Sequence, residues 1–239
     1  MGADPKLLER PPLSALTTTH AGFALGNDRA RRYPPDVAPM AAIPEASQAC
    51  LQALTALMKP GEAVGLFGPE PVAATGDLVA VAVKTVEQMV HEGRSAPPII
   101  GDFVNLTPAD VPEMMELVEL TKPGPFAART ITLGSYVGVR SGGHLVAMAG
   151  ERMKFDGFTE ISAVCTHPDH RGQGHSSLLV RTLVRNILDR GETPFLHIFS
   201  DNVRAASLYG RLGFARRRSL TVTVLARADE DAPKRQRAA

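Results

Sequence analysis

The densest chemical signal in the chain is the run Val164-Cys165-Thr166-His167-Pro168-Asp169-His170-Arg171-Gly172-Gln173-Gly174-His175-Ser176. It lies between the end of a strand-like run and the start of a helical pattern. A helix start presents N–H groups that have no partner inside the helix, and its dipole favours an anion. Gly172 and Gly174 let the main chain approach a ligand closely and turn without a Cβ penalty. The run therefore reads as a phosphate or pyrophosphate loop; the purely structural alternative is a tight strand-to-helix turn. Its spacing is neither Gly-x-Gly-x-x-Gly nor Gly-Lys-Ser/Thr.

Other reactive side chains carry less. His167, His170, His175 and His197 follow no zinc-ligand spacing, so no metal site is expected. Cys165 could act as an acyl-carrying nucleophile, but no base and orienter are legible beside it, and on a strand it reads as a small core residue. The run Arg216-Arg217-Arg218 reads as a solvated edge that discourages strand pairing.

The elements that must position these residues follow from periodicity. Prolines at 11, 12, 34, 35, 39 and 44 break the early chain into loops and short elements. Leu51, Leu54, Leu57 and Met58 stripe a helix over Ala46 to Met58. Glu62 to Phe67 and Leu78 to Val90 read as strands, and Gly93 to Pro98 as a break between domains. Next come a strand at Phe103 to Leu106, a helix opened by Thr107-Pro108 and running to Leu120, and a short helix at Ala127 to Leu133. Tyr136 to Arg140 and His144 to Met153 form a hairpin around Ser141-Gly142-Gly143, followed by a strand at Phe158 to Cys165. A helix over Ser176 to Arg190, a strand at Phe195 to Phe199, a helix over Asn202 to Leu212 and a strand at Leu220 to Leu225 complete the order. This is a mixed α/β sheet.

Composition narrows the function. The chain has 239 residues, 26 Lys+Arg against 25 Asp+Glu, 5 % aromatics, two Cys and no Trp, which argues against a polyanion binder, a base-stacking platform or a disulfide scaffold. Its apolar runs are far short of a membrane span, and Met1 to Arg10 lacks the apolar stretch of a signal peptide. A soluble, cytoplasmic protein without nucleic-acid or membrane partners is expected.

At the glycine loop the sequence resembles the GNAT superfamily of acetyl-CoA-dependent N-acyltransferases. Arg171-Gly172-Gln173-Gly174-His175-Ser176 is similar to the family's Arg/Gln-x-x-Gly-x-Gly/Ala loop, with Ser in the last small-residue place. Asp201-Asn202-x-x-Ala205-x-x-Leu208-Tyr209-x-x-Leu212-Gly213-Phe214 resembles its fourth-helix pattern. The likeness covers about Asp102 to Arg227. It implies a GNAT-type, mostly antiparallel sheet flanked by helices. It also implies that Val164, Cys165 and Thr166 pair with the pantetheine arm while Arg171, Gly172, Gln173, Gly174, His175 and Ser176 hold the pyrophosphate. Asn202 and Ala205 would lie along the pantetheine. Tyr209 matches the tyrosine that protonates the departing thiolate; its alternative is an aromatic packed beside Leu208 and Leu212. Glu160 stands where some members carry a catalytic glutamate; the alternatives are a solvated strand residue, with a water chain as the base.

The expected function is N-acetyl transfer from acetyl-CoA to a small-molecule or peptide amine by direct attack, with the acceptor open and a homodimer compatible. The alternative is a non-catalytic acyl-CoA sensor. The expected organisation is an accessory α/β domain over residues 1–101, readable as a degenerate copy of the same fold, a catalytic domain over 102–227 and a flexible polar tail over 228–239.

Overall fold

The computed structural model describes residues 4–93 and 98–229. The break expected at Gly93 to Pro98 and most of the expected tail fall on or beside positions outside these. Three short strands, β1 (Leu25–Gly26), β2 (Arg31–Arg32) and β3 (Met40–Ala42), lead to β4 (Ala63–Gly68) and the long β5 (Leu78–His91). The strands β6 (Val104–Leu106), β7 (Tyr136–Ser141), β8 (His144–Phe155), β9 (Phe158–Thr166), β10 (Thr193–Phe199) and β11 (Phe214–Arg227) follow. All eleven join one sheet in the order β1-β2-β3-β4-β11-β5-β10-β9-β8-β7-β6. Among the described residues only β3–β4 and β9–β10 are parallel, so the sheet is mixed and mostly antiparallel.

Among the described residues, five α-helices flank it: α1 (Pro11–Thr17), α2 (Gln48–Ala56), α3 (Val111–Thr121), α4 (His175–Asp189) and α5 (Val203–Arg211). Leu179, Leu183 and Ile187 recur at helical spacing along α4 and are fully buried against Val137, Ala147, Ala149 and Ile161. Each such side chain is worth about 1.5–3 kcal/mol of burial. On a separate core, Met114 and Leu117 of α3 cover Tyr136, Met148 and Cys165. The Thr107–Asp110 capping box starts the turn before α3, and the Asn202 side chain caps α5 by accepting from the Ala205 N–H at 3.0 Å.

Three findings depart from the sequence reading. Pro11 and Pro12 do not break the chain but open α1, where their missing N–H groups cost nothing. The last strand is fourteen residues long and lies inside the sheet between β4 and β5, so the arginine run does not sit on an edge. Arg217 donates to Gln88, Glu9 and the Pro5 carbonyl and Arg218 pairs with Glu9, clamping the 3-10 turn Pro5–Glu9 onto the sheet, while Arg216 pairs with Glu87 of β5. Finally, β5, from the first hundred residues, threads between β10 and β11, so these residues do not build a sheet of their own.

Candidate functional site

The site begins where two parallel strands part. β10 pairs with β9 only through Thr193–Phe195 against Phe158–Glu160; beyond that, β9 runs on through Ile161–Thr166 without β10. A cleft of about 1130 Å³ opens there. Val164, Cys165, Thr166, Arg171, Gly172, Gly174, His175, Ser176, Asn202, Ala205 and Tyr209 all line it, while Gln173 and Glu160 do not.

At one end is the glycine loop. Gly174, at φ +82°, is the N-cap of α4 and supplies no side-chain cap, so the first N–H groups of the helix stay open toward the cleft. Gly172 is also left-handed, at φ +78°, and a Cβ on either glycine would meet no protein atom within 4 Å. Thr166 and Ser176 share a 3.0 Å hydroxyl hydrogen bond that ties the end of β9 to the start of α4.

In the middle, β9 carries a feature that the sequence does not signal. Its register against β8 jumps from Gly150↔Ser162 to Met148↔Cys165, leaving Ala163 and Val164 opposite Ala149 alone. Ala163 sits at φ +54°, left-handed backbone that costs a non-glycine residue roughly 1–2 kcal/mol. Such a bulge takes main-chain polar groups out of the ladder, here at the cleft wall. Ala163→Val is expected to destabilise the protein by about 1–3 kcal/mol, because a β-branched residue fits this backbone region poorly. Ala163→Gly should stay within about 1 kcal/mol of the parent, relief of strain offsetting the entropy of glycine. Thermal unfolding of the two variants checks this ordering.

Tyr209 is 8 % exposed and meets Phe214 edge-on, with ring centroids 5.9 Å apart. Burial, with Cys165 nearby, pushes its phenol up to about 12, so it stays a proton donor at working pH. The packed and acid readings are thus compatible: the ring is in the core and the residue lines the cleft. Burial likewise pushes the Cys165 thiol up to about 11, which suits a core residue and not a nucleophile.

Glu160 is not the solvated strand residue of the sequence reading; it is 1 % exposed. Arg152 donates to both of its oxygens at 2.8 Å, and His197 Nδ1 lies 2.8 Å from Oε1. Burial alone would raise its pKa, but the Arg152 charge and these hydrogen bonds win and hold it at about 2. Behind it, the Gln88 amide is fixed by donating to the Leu8 carbonyl and accepting from Arg217. Its nitrogen therefore donates to His197 Nε2 at 3.1 Å, which leaves the imidazole proton on Nδ1, facing Glu160. A carboxylate so engaged is a poor acceptor for a substrate proton.

Sequence reasoning missed Arg152 and Lys84, which also line the cleft. The turn at Asp156-Gly157 sets Arg152 nearly opposite Glu160 across a hairpin, a signal available from spacing. The involvement of Lys84 depends on the insertion of β5, which spacing does not reveal. Among the described residues, no three His, Cys, Asp or Glu side chains gather to hold a metal ion, and no helix is long and apolar enough to cross a membrane.

Comparison with known proteins agrees with this geometry. Residues 136–223 match the FR47-like protein family model. A GNAT-family protein from Novosphingobium aromaticivorans superposes with a TM-score of 0.87 at 35 % identity, over 95 % of this chain and all of that one. N-alpha-acetyltransferase RimI of Mycobacterium tuberculosis is 36 % identical over 39 % of this chain and 63 % of its own length. The uncharacterized N-acetyltransferase YobR of Bacillus subtilis is 34 % identical over 25 % of each chain. The chain thus spans less than two thirds of either curated relative, whereas the solved structure is matched from end to end. On the strength of that full-length match, which agrees with the resemblance at the glycine loop and at α5, the chain belongs to the GNAT family of N-acetyltransferases.

Proposed function

We propose that this protein transfers the acetyl group of acetyl-CoA to a primary amine by direct attack. The observation that carries this reading is the single cleft that joins an uncapped helix N-terminus, a bulged strand edge and the buried Tyr209. The loop Arg171 to Ser176 binds the pyrophosphate through main-chain N–H groups. The exposed edge of β9 at Val164 to Thr166 pairs with the amides of the pantetheine arm, with Asn202 and Ala205 along its other side. The bulge at Ala163-Val164 offers N–H groups to the thioester oxygen, stabilising the charge that develops there as the amine attacks. Tyr209 gives its proton to the departing thiolate. The amine loses its proton to cleft water, while Glu160 positions Arg152 and His197 without acting as the base itself. The catalytic work falls to residues 102–227, and the first hundred residues shape the acceptor end through Met40, Phe67 and β5.

Gly174→Val tests the coenzyme site. A Cβ at Gly174 would meet no neighbouring atom within 4 Å, so the substitution is expected to cost mainly the strain of a β-branched residue in left-handed backbone, roughly 2–4 kcal/mol. The same side chain would occupy the space that the pyrophosphate needs. Calorimetry should show acetyl-CoA binding lost in a folded variant; unchanged affinity would move the site elsewhere. The engagement of Glu160 favours one other reading, an acyl-CoA sensor without turnover. Binding of acetyl-CoA with no release of thiol across a broad amine panel would support that reading.

A further inference from the structure

Six cationic side chains line the cleft, Lys84, Lys122, Arg152, Arg171, Arg204 and Arg211, and among the described residues no aspartate or glutamate does. Phosphates of a coenzyme account for those near the glycine loop. They do not account for Arg152. Its partner Glu160 lies six residues before Thr166 on β9, roughly 20 Å of extended chain from the loop side, with the Ala163 bulge in between. Arg152 is therefore on the far side of the reacting centre from the pyrophosphate. It is 8 % exposed, and Glu160 occupies only its Nε and Nη2. Nη1 has no hydrogen-bond partner among the described residues, and the residue borders the cleft. A guanidinium brings five N–H donors in a rigid fork, so an unused Nη1 at the cleft wall can donate to a carboxylate oxygen. Elsewhere the same cleft is lined by Met40, Phe67, Val222 and Val224, whose side chains offer a polar body no partner. Lys84 stands at the exposed rim over the Phe199 ring, 5.0 Å from its centroid.

Resting on the transferase reading above, we propose that the acceptor is a small amino acid with an aliphatic or aromatic body. Its carboxylate is held by Arg152 Nη1 and drawn in by Lys84, and its amine faces the thioester at the Ala163 bulge. A polyamine is disfavoured because no carboxylate in the cleft offsets its charge.

The test follows thiol release from acetyl-CoA with leucine and phenylalanine, their carboxamides, the corresponding decarboxylated amines, and spermidine. The free acids should exceed their amides and amines in kcat/KM by about 10- to 100-fold, the effect of a charge-assisted hydrogen bond. The more readily deprotonated amine of the amide works against this ordering, so the preference is not a reactivity artefact. Arg152→Lys keeps a cation beside Glu160 but removes the free fork. It should erase most of the preference while acetyl-CoA affinity holds. If Arg152→Lys fails to fold, Lys84→Glu at the rim should raise KM for the acids several-fold and not for the amides.

Acids, amides and amines used equally, or amides preferred, with acetyl-CoA binding intact, would overturn the acceptor class and leave the transferase reading standing. Loss of acetyl-CoA binding itself would instead remove the transferase reading. If no member of the panel is turned over, calorimetry of the same compounds on the coenzyme-loaded protein makes the comparison; an acid that binds no tighter than its amide overturns the proposal.

Discussion

Glu160→Ala is expected to destabilise the protein by about 3–5 kcal/mol, because it leaves the Arg152 guanidinium buried without its counter-charge. For a chain of this size that corresponds to a fall in melting temperature of roughly 6–20 °C. The loss should depend on pH with a definite sign. A carboxylate held at about 2 in the fold against its ordinary value near 4.5 stabilises the folded state above that ordinary value. Its contribution fades as pH falls from about 4.5 toward 2, and the parent should lose about 3 kcal/mol over that window from this group alone. The alanine variant has no such group, so the two stability curves should converge in acid. Urea unfolding at pH 7 and at pH 3 measures both effects. A difference below about 1 kcal/mol at pH 7 would mean that the Arg152–Glu160–His197 cluster is not the structural joint described here.

The same cluster shows which parts of the molecule were legible in its sequence. The glycine loop and the α5 motif lie close in the chain, so their spacing fixes their geometry: Gly174 at the start of α4, and Asn202 as the cap that aims α5 and Tyr209. Hairpin glycines and the stripe of α4 are equally local. The role of Glu160 is not local. It is set by Arg152 across a turn, by His197 from the next strand and by Gln88 from β5, and β5 enters the sheet between strands that follow it by more than a hundred residues. Read alone, a glutamate on an alternating strand is a solvated face. The arginine run is equally non-local, since its partners Glu9, Glu87 and Gln88 arrive from the first hundred residues. The bulge at Ala163 is not legible in the sequence, because alanine gives no sign of left-handed backbone.

Removing the Tyr209 hydroxyl should separate binding from chemistry. Tyr209→Phe keeps the ring that packs on Phe214, so the fold and the affinity for acetyl-CoA should change little. Turnover should fall by about 10², the lower end of what a general acid contributes, because a thiolate is a tolerable leaving group even unaided. The effect should appear in kcat and kcat/KM together, since the proton is needed only as the thiolate departs. With the phenol pushed up to about 12, Tyr209 should not deprotonate below pH 10, so the parent should show no alkaline limb from this residue there. A variant with weakened coenzyme affinity and unchanged kcat would make Tyr209 a packing residue of the cleft wall. A variant unchanged in both, assayed with an amine that the parent acetylates, would assign protonation of the thiolate to water and leave the bulge at Ala163 as the main source of rate.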